Sequence, residues 1–266
     1  MLADAPGAVA RELLAQDGAR VLAALAAPCD QNEGIHAARK AIRRMRAVLA
    51  LLDEDEFELE REDRSLRRLG KSLSALRDAH VVVEAAKRLQ VEHPEPGWDT
   101  IITALEMRRT RILQRSLAQD PGFARRRRVV TQLQSWIACQ PWQNLRRATI
   151  RDGLARSERR VKRAAARAAH DGSPDQVHQW RRRVRRLRMQ LDAVDALGGQ
   201  GGQGRSHDGS ARKAKALHKT SDLLGWNQDL RLLRNLVRNL PPDVGKTEVM
   251  VRIERALEAA GDHLPG

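Results

Sequence analysis

Apolar residues recur along this chain every three or four positions, and no stretch of strand-like alternation competes with them. The pattern predicts helices over 8–27, from Asn32 or Glu33 to about Leu52, from about Arg64 to Gln90, over 98–118 and over 122–138. After Pro141 the plan begins again. Helices are expected over 145–169, from a Ser173-Pro174 cap to about Leu197, from Ala211 to about Leu240, and over 248–260. Pro28, the run from His93 to Gly97, Pro121-Gly122 and Pro241-Pro242 punctuate these segments. An acidic patch, Asp53 to Glu56, precedes the third helix. The Gly-rich stretch from Leu197 to Ser210 reads as a flexible connector; with no strand before it and no Lys-Ser/Thr after it, it is not a phosphate-cradling loop. The core formers are mostly Leu, Ala and Val, with no Tyr and only two Phe, which favours helix packing over an aromatic-rich sandwich. The chain reads as all-α.

One pattern occurs twice in this helical register. A histidine leads a run whose fourth, fifth, eighth, ninth and eleventh positions are basic. The first copy holds His36, Arg39, Lys40, Arg43, Arg44 and Arg46. The second holds His178, Arg181, Arg182, Arg185, Arg186 and Arg188, at an offset of 142 without a gap. A weaker echo follows each, Leu73 to Asp78 and Leu224 to Asp229, at an offset of 151; the Gly-rich connector can supply the extra residues. The chain therefore reads as an internal duplication, 1–140 forming a first helical repeat and 141–266 a second.

At about 100° per residue the cations of the first copy gather on one face, with Ile42, Met45, Leu49 and Leu52 opposite. The second copy repeats this with Leu187 and Leu191 opposite and Trp180 on the core side, Arg183 being the misfit at the apolar edge. No acid occurs from Gly34 to Leu52 or from Gln176 to Leu191. A merely solvated face interleaves both signs at helical spacing. Like charges crowded on a few turns repel, so an external anion or facing carboxylates must compensate. On the next helix Arg64, Arg67, Lys71 and Asp78 share a polar face opposite Leu66, Leu69, Leu73 and Leu76. Lys215, His218, Asp222 and Asp229 occupy the corresponding face later in the chain. Asp78 and Asp229 suit pairing with an arginine of the preceding helix, fixing its direction, while Arg67, Lys71, His218 and Lys219 extend the cationic set. His80 falls with the leucines and is expected in the core.

The net charge of +15 and pI near 11.1 point to an acidic partner: nucleic acid, an anionic membrane surface or a phosphate polymer. Arginine outnumbers lysine 41 to 8, and its planar fork is the better match to phosphate oxygens. Cys29 and Cys139 form no C-x-x-C pair and are expected as two buried free thiols, which suits a reducing compartment. The first 27 residues include Arg11, Glu12, Asp17 and Arg20 and so lack a signal peptide's apolar core. No run approaches the ~18 apolar residues that span a bilayer. A cytoplasmic, soluble protein without membrane insertion is expected.

The two His-led arginine helices, followed by Arg77-Asp78 and Gln228-Asp229, resemble the CHAD family (conserved histidine α-helical domain) over nearly the whole chain. The resemblance implies two four-helix bundles related by an approximate two-fold, with basic helix faces lining a central groove or pore. It also implies binding of inorganic polyphosphate, with a role at polyphosphate granules. By matched position, the twelve motif residues from His36 to Arg46 and from His178 to Arg188 are the ligand residues. The β-rich triphosphate tunnel domain that often accompanies CHAD domains is not read in these residues, so binding without turnover is expected, with no catalytic residue, cofactor or metal. Gln228 stands where the first half has Arg77, so the halves need not bind alike.

Two other readings compete. A nucleic-acid binder suits the charge and the run Arg125 to Arg128, but no aromatic lies on a motif's cationic face to stack a base. Phosphoryl transfer could use the paired histidines, with Asp78 and Asp229 holding magnesium, yet no H-x-x-x-H, carboxylate cluster or Walker-type loop supports it. In the binding reading, arginines around His36 and His178 disfavour protonation and a bound polyanion favours it. Binding is therefore expected to tighten near or below pH ~6.5.

Overall fold

The computed structural model describes residues 5–26, 31–52, 57, 59–197, 207–241 and 245–262. Among them the chain forms ten α-helices and no strand. The helices are α1 (Pro6–Ala26), α2 (Gln31–Leu49), α3 (Leu59–Ser72), α4 (Ser74–Glu92), α5 (Trp98–Gln119), α6 (Ala124–Cys139), α7 (Arg147–Asp171), α8 (Pro174–Leu197), α9 (His207–Arg238) and α10 (Lys246–Asp262). The all-α reading holds, and most ends fall within a few residues of the periodicity-based ones. The Ser173 hydroxyl accepts from the Gln176 amide at 3.4 Å, capping α8 as its Ser-Pro start predicts. The acidic patch, Cys29 and most of the Gly-rich connector lie outside the described residues.

Two expectations need correction. The single helix predicted from Arg64 to Gln90 is two, because Leu73 leaves the helical basin at φ −96°, ψ 2°. Just before it, the Ser72 hydroxyl bonds back to the Leu69 carbonyl at 2.8 Å, a local alternative that bends helices. Apolar spacing continues through this kink, so periodicity alone does not register it. Cys139 is a free thiol but exposed rather than buried. The apolar stripe of α6 runs through Val130, Leu133 and Ile137, and a residue two places on points away from it.

Packing divides the described residues into two compact units, each drawn from both sides of residue 140. The boundary near residue 140 that the sequence suggests is thus not where packing divides the described residues. The first unit takes the described residues up to Ser72 and those of Gly122–Ser221. In it α1 packs on α2 and α6, α3 on α2 and α6, α7 on α8, and α2 on α8. The apolar face of α2 is enclosed from Ile35 through Ala38, Ile42 and Met45 to Leu49, as the wheel predicts. Small residues let the helices approach closely. A Cβ on Gly153 of α7 would lie 2.6 Å from the Leu51 carbonyl oxygen, so only glycine fits there.

The second unit takes Leu73–Pro121 and the described residues from Asp222 onward. It is a four-helix assembly of α4, α5, α10 and the C-terminal part of α9. Val83, Leu89, Trp98, Leu230, Leu233 and Ile253 are among the residues of its core. Buried Trp98 keeps its indole N–H satisfied by donating to the His93 carbonyl at 3.0 Å. Arg252 meets Glu95 at 2.7 Å and Lys87 meets Glu106 at 2.7 Å. No helix among the described residues is long and apolar enough to cross a membrane.

Candidate functional site

The two motif helices meet in the first unit, where α2 packs on α8. Their contact is pinned by Gln190, which is fully buried on α8 and donates from Nε2 to the Ala47 carbonyl at 3.2 Å. At the end of α2 the Leu51 amide turns to Val48, so the glutamine takes up a carbonyl that the helix end does not serve. With Met45, Leu187 and Leu191 turned inward, Arg43 and Arg46 of α2 and Arg182, Arg185 and Arg186 of α8 are brought to one open side.

That side holds a cavity of about 440 Å3. Arg43 and Arg46 reach it from α2 and Arg67 from α3, while Arg182, Arg183, Arg185 and Arg186 come from α8. Gln179 and Met189 also line it, and among the described residues no carboxylate does. Seven guanidinium groups around one cavity cannot neutralise one another. Burial, followed by repulsion from Arg46, pulls Arg186 down to about 10, with nearby Asp63 opposing the shift. Burial, then Arg160, Arg182 and Arg167, lowers Arg183 as well. Both remain charged at neutral pH. The cavity is therefore prepared for an anion with many oxygens, each able to accept from a guanidinium fork.

One carboxylate stands at its edge. Asp63 of α3 takes Arg46 in a forked pair, from Nε at 2.7 Å and Nη2 at 2.9 Å, which fixes how that arginine meets the cavity. A neighbouring hollow of about 650 Å3 shares Arg67 and Arg186 with the cavity and includes Asp63 and Glu60 in its wall.

The remaining sequence-assigned residues lie elsewhere. Arg44 points to α1, where the buried Asp17 takes its Nε and Nη2 at 2.9 and 2.5 Å. Arg39 donates to the Gly70 carbonyl, tying α2 to α3. Arg181 is buried rather than presented to solvent. Arg188 donates to Nδ1 of His218 at 2.7 Å; arginine can only donate, so that ring nitrogen is the acceptor. His36, Lys40, Lys71 and Lys219 are exposed and His178 half-buried, and none of them lines the cavity.

Asp78 and Asp229 are assigned by the sequence to orient an arginine of a motif helix. The arginine found between them is Arg77 of α4, at 3.2 Å from Asp78 and 3.0 Å from Asp229. The two sequence echoes thus meet in the second unit, across α4 and α9. His80 is half-buried, its Nδ1 enclosed.

Sequence reasoning missed three contributors. Arg183, the wheel's misfit, lines the cavity because α8 is walled on that side by α7 rather than by core. Gln190, fully buried between two basic helices, could have been found as a polar residue on the apolar stripe. The arginines of α7 form a basic wall of their own, and the signal that flagged the motifs was present there too: no acid occurs from Arg159 to His170. Among the described residues no group of three or more His, Cys, Asp or Glu side chains could hold a metal ion.

Comparison with known proteins is consistent with this picture. The CHAD domain family model matches residues 8–238. No curated protein matches the chain. Two solved structures share the fold over most of their length. PptA from Streptomyces chartreusis is 18% identical, with 96% of each chain covered and a TM-score of 0.66. The CHAD domain from the plant Ricinus communis is 19% identical, covering 98% of this chain and 88% of that one, with a TM-score of 0.72. At those identities the likeness is one of fold.

Proposed function

The chain belongs to the CHAD domain family, which is linked to polyphosphate binding, and we propose that it binds inorganic polyphosphate in the arginine-walled cavity of its first unit. The observation that carries the reading is the convergence of seven arginines from α2, α3 and α8 on a cavity with no carboxylate among its described lining residues. A polyphosphate offers closely spaced, flexible, multiply charged oxygens, the ligand best able to serve such a set at once. Counterion release supplies much of the affinity, so binding weakens steeply with salt. The two motif helices act as halves of one site, in keeping with an origin by duplication near residue 140. The protein is a binder and not a catalyst in this reading, and its place is in the cytoplasm, at polyphosphate granules. Incubation of long-chain polyphosphate with the protein and magnesium tests the first point: release of orthophosphate would contradict it.

A nucleic acid is the rival ligand, favoured by the exposed Arg127 and Arg128 of α6. Stacking is poorly served, however, because Trp180 on α8 is buried. Competition at fixed salt separates the two readings. Polyphosphate is expected to displace a labelled RNA, and the RNA to displace polyphosphate only in large excess; equal or reversed potency would favour the nucleic acid.

A further inference from the structure

The cavity does not end at α8. Beyond Gln179 and Arg183, which belong to its lining, a small notch of about 60 Å3 lies between α8 and α7, walled by Arg160, Arg163 and Arg167. It too has no carboxylate among its described lining residues. On α7, Arg156, Arg160, Arg163 and Arg167 follow one another at helical spacing, a stripe about 16 Å long at 1.5 Å per residue. The other way out of the cavity, past Arg67 and Arg186, leads to the hollow with Glu60 and Asp63 in its wall. That hollow also holds Arg64, Arg156 and Arg160, so an anionic chain leaving the cavity meets arginines on both sides, with carboxylates among them at the hollow and none among the described residues of the notch.

We propose that the α7–α8 notch is a second phosphate subsite, which takes the part of a polyphosphate chain that emerges from the cavity over Arg183 and so makes the protein selective for long chains. This rests on the reading that the cavity binds polyphosphate. A triphosphate is satisfied within the cavity and does not feel α7. A long chain continues past Arg183 and is held again by Arg163 and Arg167. Arg183 is the shared wall; its charge is disfavoured first by burial and then by Arg160, Arg182 and Arg167, and a phosphoryl group among them offsets that repulsion.

The test is calorimetric titration of the full chain with triphosphate and with long-chain polyphosphate at one salt concentration. Arg163 and Arg167 line the notch but not the cavity, and both are exposed, so the double variant Arg163→Gln/Arg167→Gln is expected to fold normally. It should lose on the order of tenfold in affinity for the long chain and less than about twofold for triphosphate. The charge-matched variant Arg127→Gln/Arg128→Gln, on α6 and outside both linings, should bind the long chain nearly as the parent does. The notch is refuted if the α7 variant loses nothing, if it loses equally for both ligands, or if the α6 variant loses as much. Failure of the underlying reading looks different: Arg43→Gln/Arg185→Gln would then leave both ligands unaffected.

Discussion

Arginines of the same motif do different work, and the difference lies in their partners. Arg44 is spent on Asp17, which is almost wholly buried. Arg44→Met is therefore expected to cost roughly 2 kcal/mol of stability by leaving that carboxylate short of a partner, with polyphosphate affinity within about twofold of the parent. A urea melt beside a binding titration checks both, and a large affinity loss at unchanged stability would return Arg44 to the site. Arg186 is the opposite case. Its folded value near 10 lies below the ordinary arginine value, so its charge opposes folding at every pH below about 10. That cost is lifted only as pH rises from there through the ordinary arginine value. Arg186→Met should stabilise the unliganded protein at neutral pH by about 1 kcal/mol while weakening polyphosphate binding, a trade of stability for function. Neither motif histidine lines the cavity, so affinity is expected to be level between about pH 6 and pH 8, in place of the tightening that the sequence suggests. A rise in affinity as pH falls through about 6.5 would put a histidine in contact with the ligand.

At the level of helices, the sequence was legible wherever one face decides the outcome. Ile42, Met45, Leu187 and Leu191 are buried as their spacing demands, and the cations opposite them follow. Illegible were features set by a neighbour rather than by the helix itself. The kink at Leu73 interrupts no apolar stripe. Arg181, Arg39 and Arg44 are on the basic face by angle, yet packing of α3 and α1 against α2 turns Arg39 toward Gly70 and Arg44 toward Asp17. Asp63 is an acid outside both motifs, and nothing in its spacing shows that it will grip Arg46. Gln190 is the element-scale test of how the site is held. Gln190→Ala removes the donor to the Ala47 carbonyl and should cost about 1–3 kcal/mol in a denaturation curve. It should also weaken polyphosphate binding, because α2 and α8 lose the contact that sets their register; stability lost with affinity intact would mean that packing alone positions them.

Across the whole molecule, the fold class and family were readable from two short motifs, because a pattern repeated at an offset of 142 carries more information than composition. The packing units were not, since each gathers helices from distant stretches and periodicity is silent about which helices meet. The site was half readable: Arg43, Arg46, Arg67, Arg182, Arg185 and Arg186 come together around one cavity, while both motif histidines lie outside its lining. The most direct measurement is a titration of the parent and of Arg43→Gln/Arg185→Gln with polyphosphate of one defined length at fixed salt. The double variant takes one arginine from each motif helix and is expected to lose tenfold or more, with a salt dependence shallower by about 1 to 2 in log–log slope. Parent-like affinity in the double variant, with the fold intact, would contradict the assignment of the cavity as the polyphosphate site.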